Sequence, residues 1–214
     1  MHLPKIKGQP SFTTLLVLLF STLIFLPTEF SQAQQSLAPE AVDGETYFAA
    51  FPVTMTLDGD LSDWVNVPFA SVTDGPQLPT SAAAQSAVDF AVAADNAHLY
   101  FAFEVTDASI VAGQHGEQYW NEDSVELYLN ASGNLNLTEF APGVAQITIP
   151  AANIGVPVNQ TILAGKNWEW TQARAAVVET PGGYAIEASV PLDTANWNIA
   201  PENGDPLGFQ VQLN

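Results

Sequence analysis

One stretch of the chain combines large aromatic side chains with amide and carboxylate groups. Tyr119 and Trp120 precede the polar run NED and the strand-like segment SVELYLN, which carries Glu126. The apolar C–H face of a pyranose packs on an aromatic ring, while amides and carboxylates bind its hydroxyls in a shallow site. The pattern therefore predicts a sugar-binding site, and the alternative is a tryptophan in the core or at its rim.

A second polar cluster, LDGDLSDW at residues 57–64, places three carboxylates within six positions before a tryptophan. Oxygen ligands at this density suit a structural Ca²⁺ ion, although the glutamate at the twelfth position of an EF-hand loop is missing. Neighbouring loops add two further carboxylates. The predicted calcium ligands are Asp58, Asp60, Asp107 and Asp123. The alternative is an Asp-Gly turn with a solvated face.

Catalytic patterns are missing from the sequence. It contains no G-x-S-x-G, H-E-x-x-H, P-loop or dinucleotide fingerprint. Glu126 and Glu187 could form the carboxylate pair that glycoside hydrolysis requires, but both are expected on a solvated sheet surface. His98 begins an apolar strand and His115 lies in a GQHG loop, and neither has a metal partner at suitable spacing. We therefore expect binding rather than catalysis from this chain alone.

Composition narrows the class of partner. The 214 residues are 47% hydrophobic, include no cysteine and carry a formal net charge of -19. Beyond residue 33, Lys166 and Arg174 are the only basic residues, so the chain cannot build the basic face that nucleic acid requires. Disulfides and thiol chemistry are excluded as well. The charge favours a cation such as Ca²⁺ and disfavours anionic membranes.

The N-terminal segment has the layout of a secretory signal peptide. Lys5 and Lys7 precede an apolar run over residues 15–26, and small residues then predict cleavage before Gln34. A membrane anchor is the alternative, but a bilayer span needs about 20 apolar residues and this run has about a dozen. We expect an exported protein with a signal peptide at residues 1–33, a linker at 34–44 and one domain at 45–214.

The rest of the chain alternates with the period of two that is typical of strands. Residues 88–94 and 98–106 read as a hairpin, and Pro181-Gly182-Gly183 predicts a tight connection between the strands at 173–179 and 184–190. Further strands are expected at 124–130, 144–149 and 207–213. The pattern predicts an all-β fold, an antiparallel sandwich or a barrel. Because the sequence stops at Asn214, one residue after the last predicted strand, we expect that the chain is a fragment of a longer protein.

Five segments, in this order, resemble carbohydrate-binding module family 9: LDGDLSDW, HLYFAFEVTD, WNEDSVE, GYAIE and LGFQVQLN. The resemblance implies a β-sandwich of the jelly-roll or immunoglobulin-like kind, appended to secreted glycoside hydrolases that take part in carbohydrate catabolism. It implies binding of the ends of xylan and cellulose chains, with calcium ions that serve structure. Trp120 corresponds to a stacking tryptophan, and Glu126 and Gln212 correspond to hydrogen-bonding residues.

The sequence departs from the family pattern at several positions. Thr148 occupies the place of a binding arginine, and a second tryptophan with a nearby asparagine would fall beyond Asn214. Trp168 and Trp197 are candidates to replace that tryptophan. Two other functions stay open on the sequence. One is an extracellular spacer or adhesion module without a sugar site. The other is a haem-binding DOMON-like domain, in which Met55 would pair with His98 or His115.

Overall fold

The computed structural model describes residues 46–72, 86–115, 121–134, 137, 140–199 and 207–214. The predicted signal peptide, the linker and Trp120 lie outside the described residues. The described residues belong to a single compact unit, Ala38–Asn214. Among them, no helix has the length and apolar character needed to cross a membrane.

Nine strands form the framework of the described chain. They are β1 (Ala70–Ser71), β2 (Ala87–Ala94), β3 (His98–Thr106), β4 (Ser124–Asn130), β5 (Val144–Pro150), β6 (Ala164–Lys166), β7 (Arg174–Thr180), β8 (Gly183–Pro191) and β9 (Gly208–Leu213). The helical elements are one α-helical turn, α1 (Trp168–Thr171), and the 3-10 turns Leu61–Trp64 and Ala151–Asn153. The seven strands predicted from alternation agree with the observed ones to within one residue at each end, and β1 and β6 were not predicted.

The strands form two sheets in which every pairing is antiparallel. The first sheet has the order β1-β2-β3-β8-β7 and the second has the order β6-β5-β4-β9. β2 and β3 form the predicted hairpin, and β7 and β8 are joined at Pro181-Gly182 as expected. The fold is therefore an antiparallel β-sandwich rather than a barrel.

The main core lies between the two sheets and comes from one side of each alternating strand. On β3 the inward side chains are Phe101, Phe103 and Val105, and on β4 they are Val125 and Leu127, all at most 1% exposed. Period-two alternation places these positions on one face, and their burial removes most of the apolar surface of the strands from water. Polar residues at the intervening positions of β4 are left on the outer face of the second sheet.

The outer face of the first sheet is covered as well. Small and aromatic residues of β2 and β3 on this face are buried under the segment that precedes β1, which contributes Met55, Trp64 and Val67. The buried sheet residues are Ala91, Ala93, Tyr100 and Ala102. The two sheets therefore differ, because β2 and β3 are buried on both faces.

Candidate functional site

Two of the three predicted sugar-binding residues lie side by side on the outer face of the second sheet. β4 runs between β5 and β9, and its register places Gln212 of β9 opposite Glu126. Thr148 of β5 is opposite Glu126 on the other side. Cβ atoms of directly opposite residues are about 4.5–5.5 Å apart. We call Thr148, Glu126 and Gln212 the carboxylate row. Trp120, the predicted stacking residue, lies outside the described residues.

Glu126 is held by hydroxyl groups rather than by a cation. The Tyr128 hydroxyl donates to Oε2 at 2.6 Å, and the Thr148 hydroxyl donates to Oε1 at 3.4 Å. Burial, the hydrogen bond to Glu126 and its negative charge raise the pKa of Tyr128, so the phenol stays a donor. No basic side chain in the described ranges pairs with Glu126. A carboxylate accepts at about four lone-pair sites, which leaves acceptor capacity for ligand hydroxyls.

Thr148 occupies the position at which the family resemblance places an arginine. Its side chain is fully buried beside Glu126, whereas Gln212 on the other flank is exposed. A threonine hydroxyl can donate one hydrogen bond, but it has neither the charge nor the five donors of a guanidinium. The carboxylate row therefore offers a ligand the carboxylate of Glu126 and the amide of Gln212.

A second row of polar side chains lies next to the carboxylate row on the same face. Strand register aligns one residue from each strand of the sheet, in the order Lys166, Gln146, Tyr128 and Gln210. We call these four residues the amide row. The ring of Phe140 stacks on Tyr128 with centroids 6.5 Å apart and an interplanar angle of 27°. This row was not predicted from the sequence, although Gln146, Tyr128 and Gln210 occupy polar positions of alternating strands.

The two tryptophans proposed as replacements for the missing one lie in different environments. Trp197 is 2% exposed and belongs to the main core, so its ring cannot stack on a sugar. The proposal of Trp197 as a stacking residue was wrong, because its ring is packed in the apolar core. Trp168 opens α1 and is half-buried against the core. It keeps part of its surface accessible.

Glu187 is fully buried and Glu126 is only 7% exposed, so the expectation that both glutamates lie on a solvated surface was wrong. Its Oε2 accepts the N–H groups of Asp58 at 2.9 Å and Gly59 at 2.6 Å, and its Oε1 accepts the indole N–H of Trp64 at 2.8 Å. Burial raises the pKa of Glu187, and these donors oppose that shift. Gly59 has φ +84°, and an added Cβ would lie 2.3 Å from a methyl of Val178. The LDGDLSDW stretch thus anchors the segment that precedes β1 to β8.

The four predicted calcium ligands do not converge. In the described part of the chain, no group of three or more Asp, Glu or His residues is placed to hold a metal. Asp58 Oδ1 accepts the N–H of Asp60, and Asp60 Oδ1 accepts the N–H of Ser62 to cap the 3-10 turn. These two carboxylates therefore stabilise local turns, as in the alternative interpretation.

Asp107 and Asp123 form a separate pair at the end of the sandwich. Asp107 accepts the N–H of Ser109, and Asp123 accepts the N–H of Val111. Burial, together with the nearby charges of Asp107 and Glu122, raises the pKa of Asp123. The Tyr184 hydroxyl is buried without a partner among the described residues. Burial and the charges of Asp123 and Asp107 raise the pKa of Tyr184. Two adjacent carboxylates beside an unpaired hydroxyl fit a cation that would neutralise them.

The histidines and the candidate haem ligands serve local structure. The His98 ring lies 3.8 Å from Asp95, and the His115 ring lies 3.5 Å from Glu122. Glu122 also accepts the backbone N–H of His115. Met55 belongs to the segment that precedes β1, and it is 6% exposed in the apolar cluster on the outer face of the first sheet. These contacts account for the three residues by packing and loop hydrogen bonds.

An open cavity of about 510 Å³ lies at the β7–β8 turn, away from both polar rows. Its described lining is Thr106, Asp107, Ala108, Ile110, Glu179, Thr180, Pro181, Gly182 and Gly183. None of these side chains is aromatic, so this lining offers no stacking surface for a sugar.

The two antiparallel sheets, one with a covered outer face and one with a polar outer face, define the class of protein as a β-sandwich module. Residues 57–214 match the sequence model of the family described as carbohydrate family 9 binding domain-like. Because the match covers most of the chain, the chain belongs to this family, and the resemblance of the five sequence segments is confirmed. No curated protein matches the chain.

Solved structures share the fold at low sequence identity. A family 9 carbohydrate-binding module from Caldicellulosiruptor kristjanssonii in complex with glucose gives a TM-score of 0.60 at 20% identity, covering 78% of this chain and 76% of that chain. The cellotriose complex of a family 9 module from that organism gives 0.58 at 20% identity, with 76% and 73% covered. At this identity the likeness shows the β-sandwich fold.

Proposed function

We propose that this chain is a secreted, non-catalytic module that binds the ends of plant polysaccharide chains such as xylan and cellulose. Trp120 stacks on a pyranose ring, while Glu126 and Gln212 bind its hydroxyls. The observation that carries the proposal is the strand register that places Glu126 beside Gln212 on a polar sheet face. Family membership and the glucose and cellotriose bound by the two structural neighbours support sugar as the ligand.

The proposed context is extracellular carbohydrate breakdown. The signal-like N-terminus supports export, and a module of this family would keep a catalytic glycoside hydrolase domain of a longer parent protein near its substrate. Hydrolysis would then belong to that partner domain. A multivalent arrangement of this kind raises the effective concentration of the catalytic domain at the polysaccharide.

A spacer or adhesion module without a sugar site is the second candidate function. The buried Thr148 at the position of the family arginine favours it, because the described row then lacks a cationic donor. Titration of a folded protein with sugars separates the two functions.

The test is isothermal titration of residues 34–214 with glucose, cello-oligosaccharides, xylo-oligosaccharides and the corresponding alditols. Wild type should bind the reducing sugars and lose affinity for the alditols, which lack the cyclic chain end. Glu126→Gln should weaken binding about tenfold or more, because a charge-assisted hydrogen bond is lost. Glu104→Gln is the matched control, since Glu104 is an exposed strand glutamate of the first sheet. A folded wild-type protein that binds none of these sugars would contradict the proposal and favour the spacer function.

We also propose a structural Ca²⁺ ion at Asp107 and Asp123. The mutual repulsion of the two carboxylates supports this position. The buried Tyr184 hydroxyl, which has no partner among the described residues, supports it as well. Calcium should raise the melting temperature, because it binds the folded state, and a chelator should reverse the shift. Asp123→Asn should remove the response, whereas Asp60→Asn should keep it. A melting temperature insensitive to calcium and chelator contradicts the proposal.

A further inference from the structure

We propose that the amide row, with Phe140, is a second sugar subsite that binds the units of a neutral glycan chain following the unit at Glu126. This inference rests on the proposed function and extends it from the chain end to an oligosaccharide several units long. The row crosses four adjacent strands, and with a strand spacing of about 4.8 Å it spans about 14 Å. That length exceeds one pyranose ring.

The two rows are directly connected. Tyr128 belongs to the amide row, and its hydroxyl donates to Glu126 of the carboxylate row at 2.6 Å. Gln210 and Gln212 follow one another on the outer face of β9, and both are exposed. A ligand held at Glu126 therefore meets the amide row when it continues along the sheet.

Phe140 supplies an aromatic surface at a fixed position. It is 46% exposed, although its ring stacks on Tyr128. Asn167 adopts a left-handed conformation with φ 56°, and its side-chain N–H groups donate to the carbonyl oxygens of Val144 at 2.9 Å and Phe140 at 3.4 Å. Since Asn167 follows Lys166, one residue ties the Phe140 backbone to the end of the row. An exposed ring held in this way can stack on a sugar without a large loss of entropy.

The chemistry of the row selects a neutral polyhydroxylated ligand. Two amides each donate and accept, the tyrosine is half-buried, and Lys166 donates at the edge. Within the described chain, Lys166 forms no ion pair, and the row itself contains no carboxylate although the protein has a net charge of -19. Sugar hydroxyls need both donors and acceptors, whereas an anionic polymer would meet the charge of the whole protein.

The experiment compares glucose with cellotetraose by isothermal titration on wild type, Phe140→Ala and Gln210→Ala. Wild type should bind the tetrasaccharide about tenfold or more tightly than glucose, because additional stacking and hydrogen bonds form. Phe140→Ala should weaken tetrasaccharide binding about fivefold and leave glucose binding unchanged. Phe48→Ala is the matched control, because Phe48 is 53% exposed and precedes β1.

Each outcome has a distinct meaning. If wild type and Phe140→Ala show the same ratio of tetrasaccharide to glucose affinity, the second subsite is overturned while the proposed function stands. If neither sugar binds to folded wild type, the proposed function fails and the subsite fails with it. If light scattering finds a wild-type dimer that Phe140→Ala converts to monomer, the face binds a second copy and the sugar subsite is overturned.

Discussion

The outer faces of the two sheets show how similar strands acquire different roles. Glu187 lies on β8 of the first sheet and Glu126 on β4 of the second, and both are buried glutamates flanked by inward apolar residues. Glu187 accepts two backbone N–H groups and the indole N–H of Trp64. Glu126 accepts two side-chain hydroxyls and lies beside an exposed glutamine.

The difference arises from the segment that precedes β1. Its Met55, Trp64 and Val67 cover the alanine-rich outer face of β2 and β3, and its backbone supplies fixed donors to Glu187. These fixed donors hold the Glu187 carboxylate in place, so it stabilises the fold. Hydroxyl partners on the second sheet leave Glu126 with acceptor sites for a ligand. The molecule thus uses one glutamate for stability and the other for the proposed recognition.

The largest expected effect is on stability. Glu187→Ala leaves three N–H donors unpaired, two of them buried, and should lower the free energy of unfolding by about 3–5 kcal/mol. Glu126→Ala should cost about 1–2 kcal/mol, because its hydroxyl partners can rotate toward other acceptors. Urea unfolding measures both values. Equal losses of unfolding free energy in the two variants would contradict the assignment of Glu187 to stability and of Glu126 to sugar binding.

Removing one tyrosine hydroxyl from each of the two sheets should have a smaller effect, and it tests whether only the second sheet binds sugar. Tyr128 donates to Glu126 and Tyr100 donates to Asp95 at 2.8 Å, so each Tyr→Phe variant removes one hydroxyl from a carboxylate. Tyr128→Phe should change glucose affinity about fivefold, since a hydrogen bond contributes about 1 kcal/mol. Tyr100→Phe should leave the affinity unchanged and lower the melting temperature. A change of affinity in Tyr100→Phe alone would reverse the assignment of the two faces.

The smallest expected effect is on the pH dependence of stability. Burial raises the pKa of Glu187 in the folded state above its unfolded value of about 4.3, so the folded state binds the proton more tightly. Its contribution is complete below the unfolded pKa and declines as the pH rises through the folded pKa. Urea unfolding between pH 4 and 8, at roughly one-unit steps, should show a steeper decline for wild type than for Glu187→Gln. Parallel slopes would exclude this contribution.

Much of the sandwich was predictable because period-two alternation is a local signal. β3 and β4 place Phe101, Phe103 and Leu127 at regular spacing, and burial of that face fixes the strand register. The pairing of Glu126 with Gln212 joins residues far apart in the sequence, and its prediction came from the family resemblance rather than from any local pattern.

The covering of the first sheet was missed because it is a long-range event. Asp58 and Glu187 are 129 positions apart, and no period in the sequence links them. A signal was nevertheless present, since Ala91, Ala93 and Ala102 occupy the second face of their strands. Strands that are apolar on both faces are typical of sheets buried on both sides. The role of Asp60 was missed for a different reason, because strand alternation does not reveal the 3-10 turn that Asp60 caps.

The burial of two indoles has an optical consequence. Trp64 and Trp197 are 1% and 2% exposed, so their fluorescence should be blue-shifted and resistant to quenching by acrylamide in the folded protein. Neither emission should respond to a sugar at the second sheet. Trp168 and Trp170 are half-buried, and their emission should be quenched more readily. The tryptophan fluorescence should therefore have two components. The emission of Trp64 and Trp197 reports unfolding, and the emission of Trp168 and Trp170 reports changes at the surface.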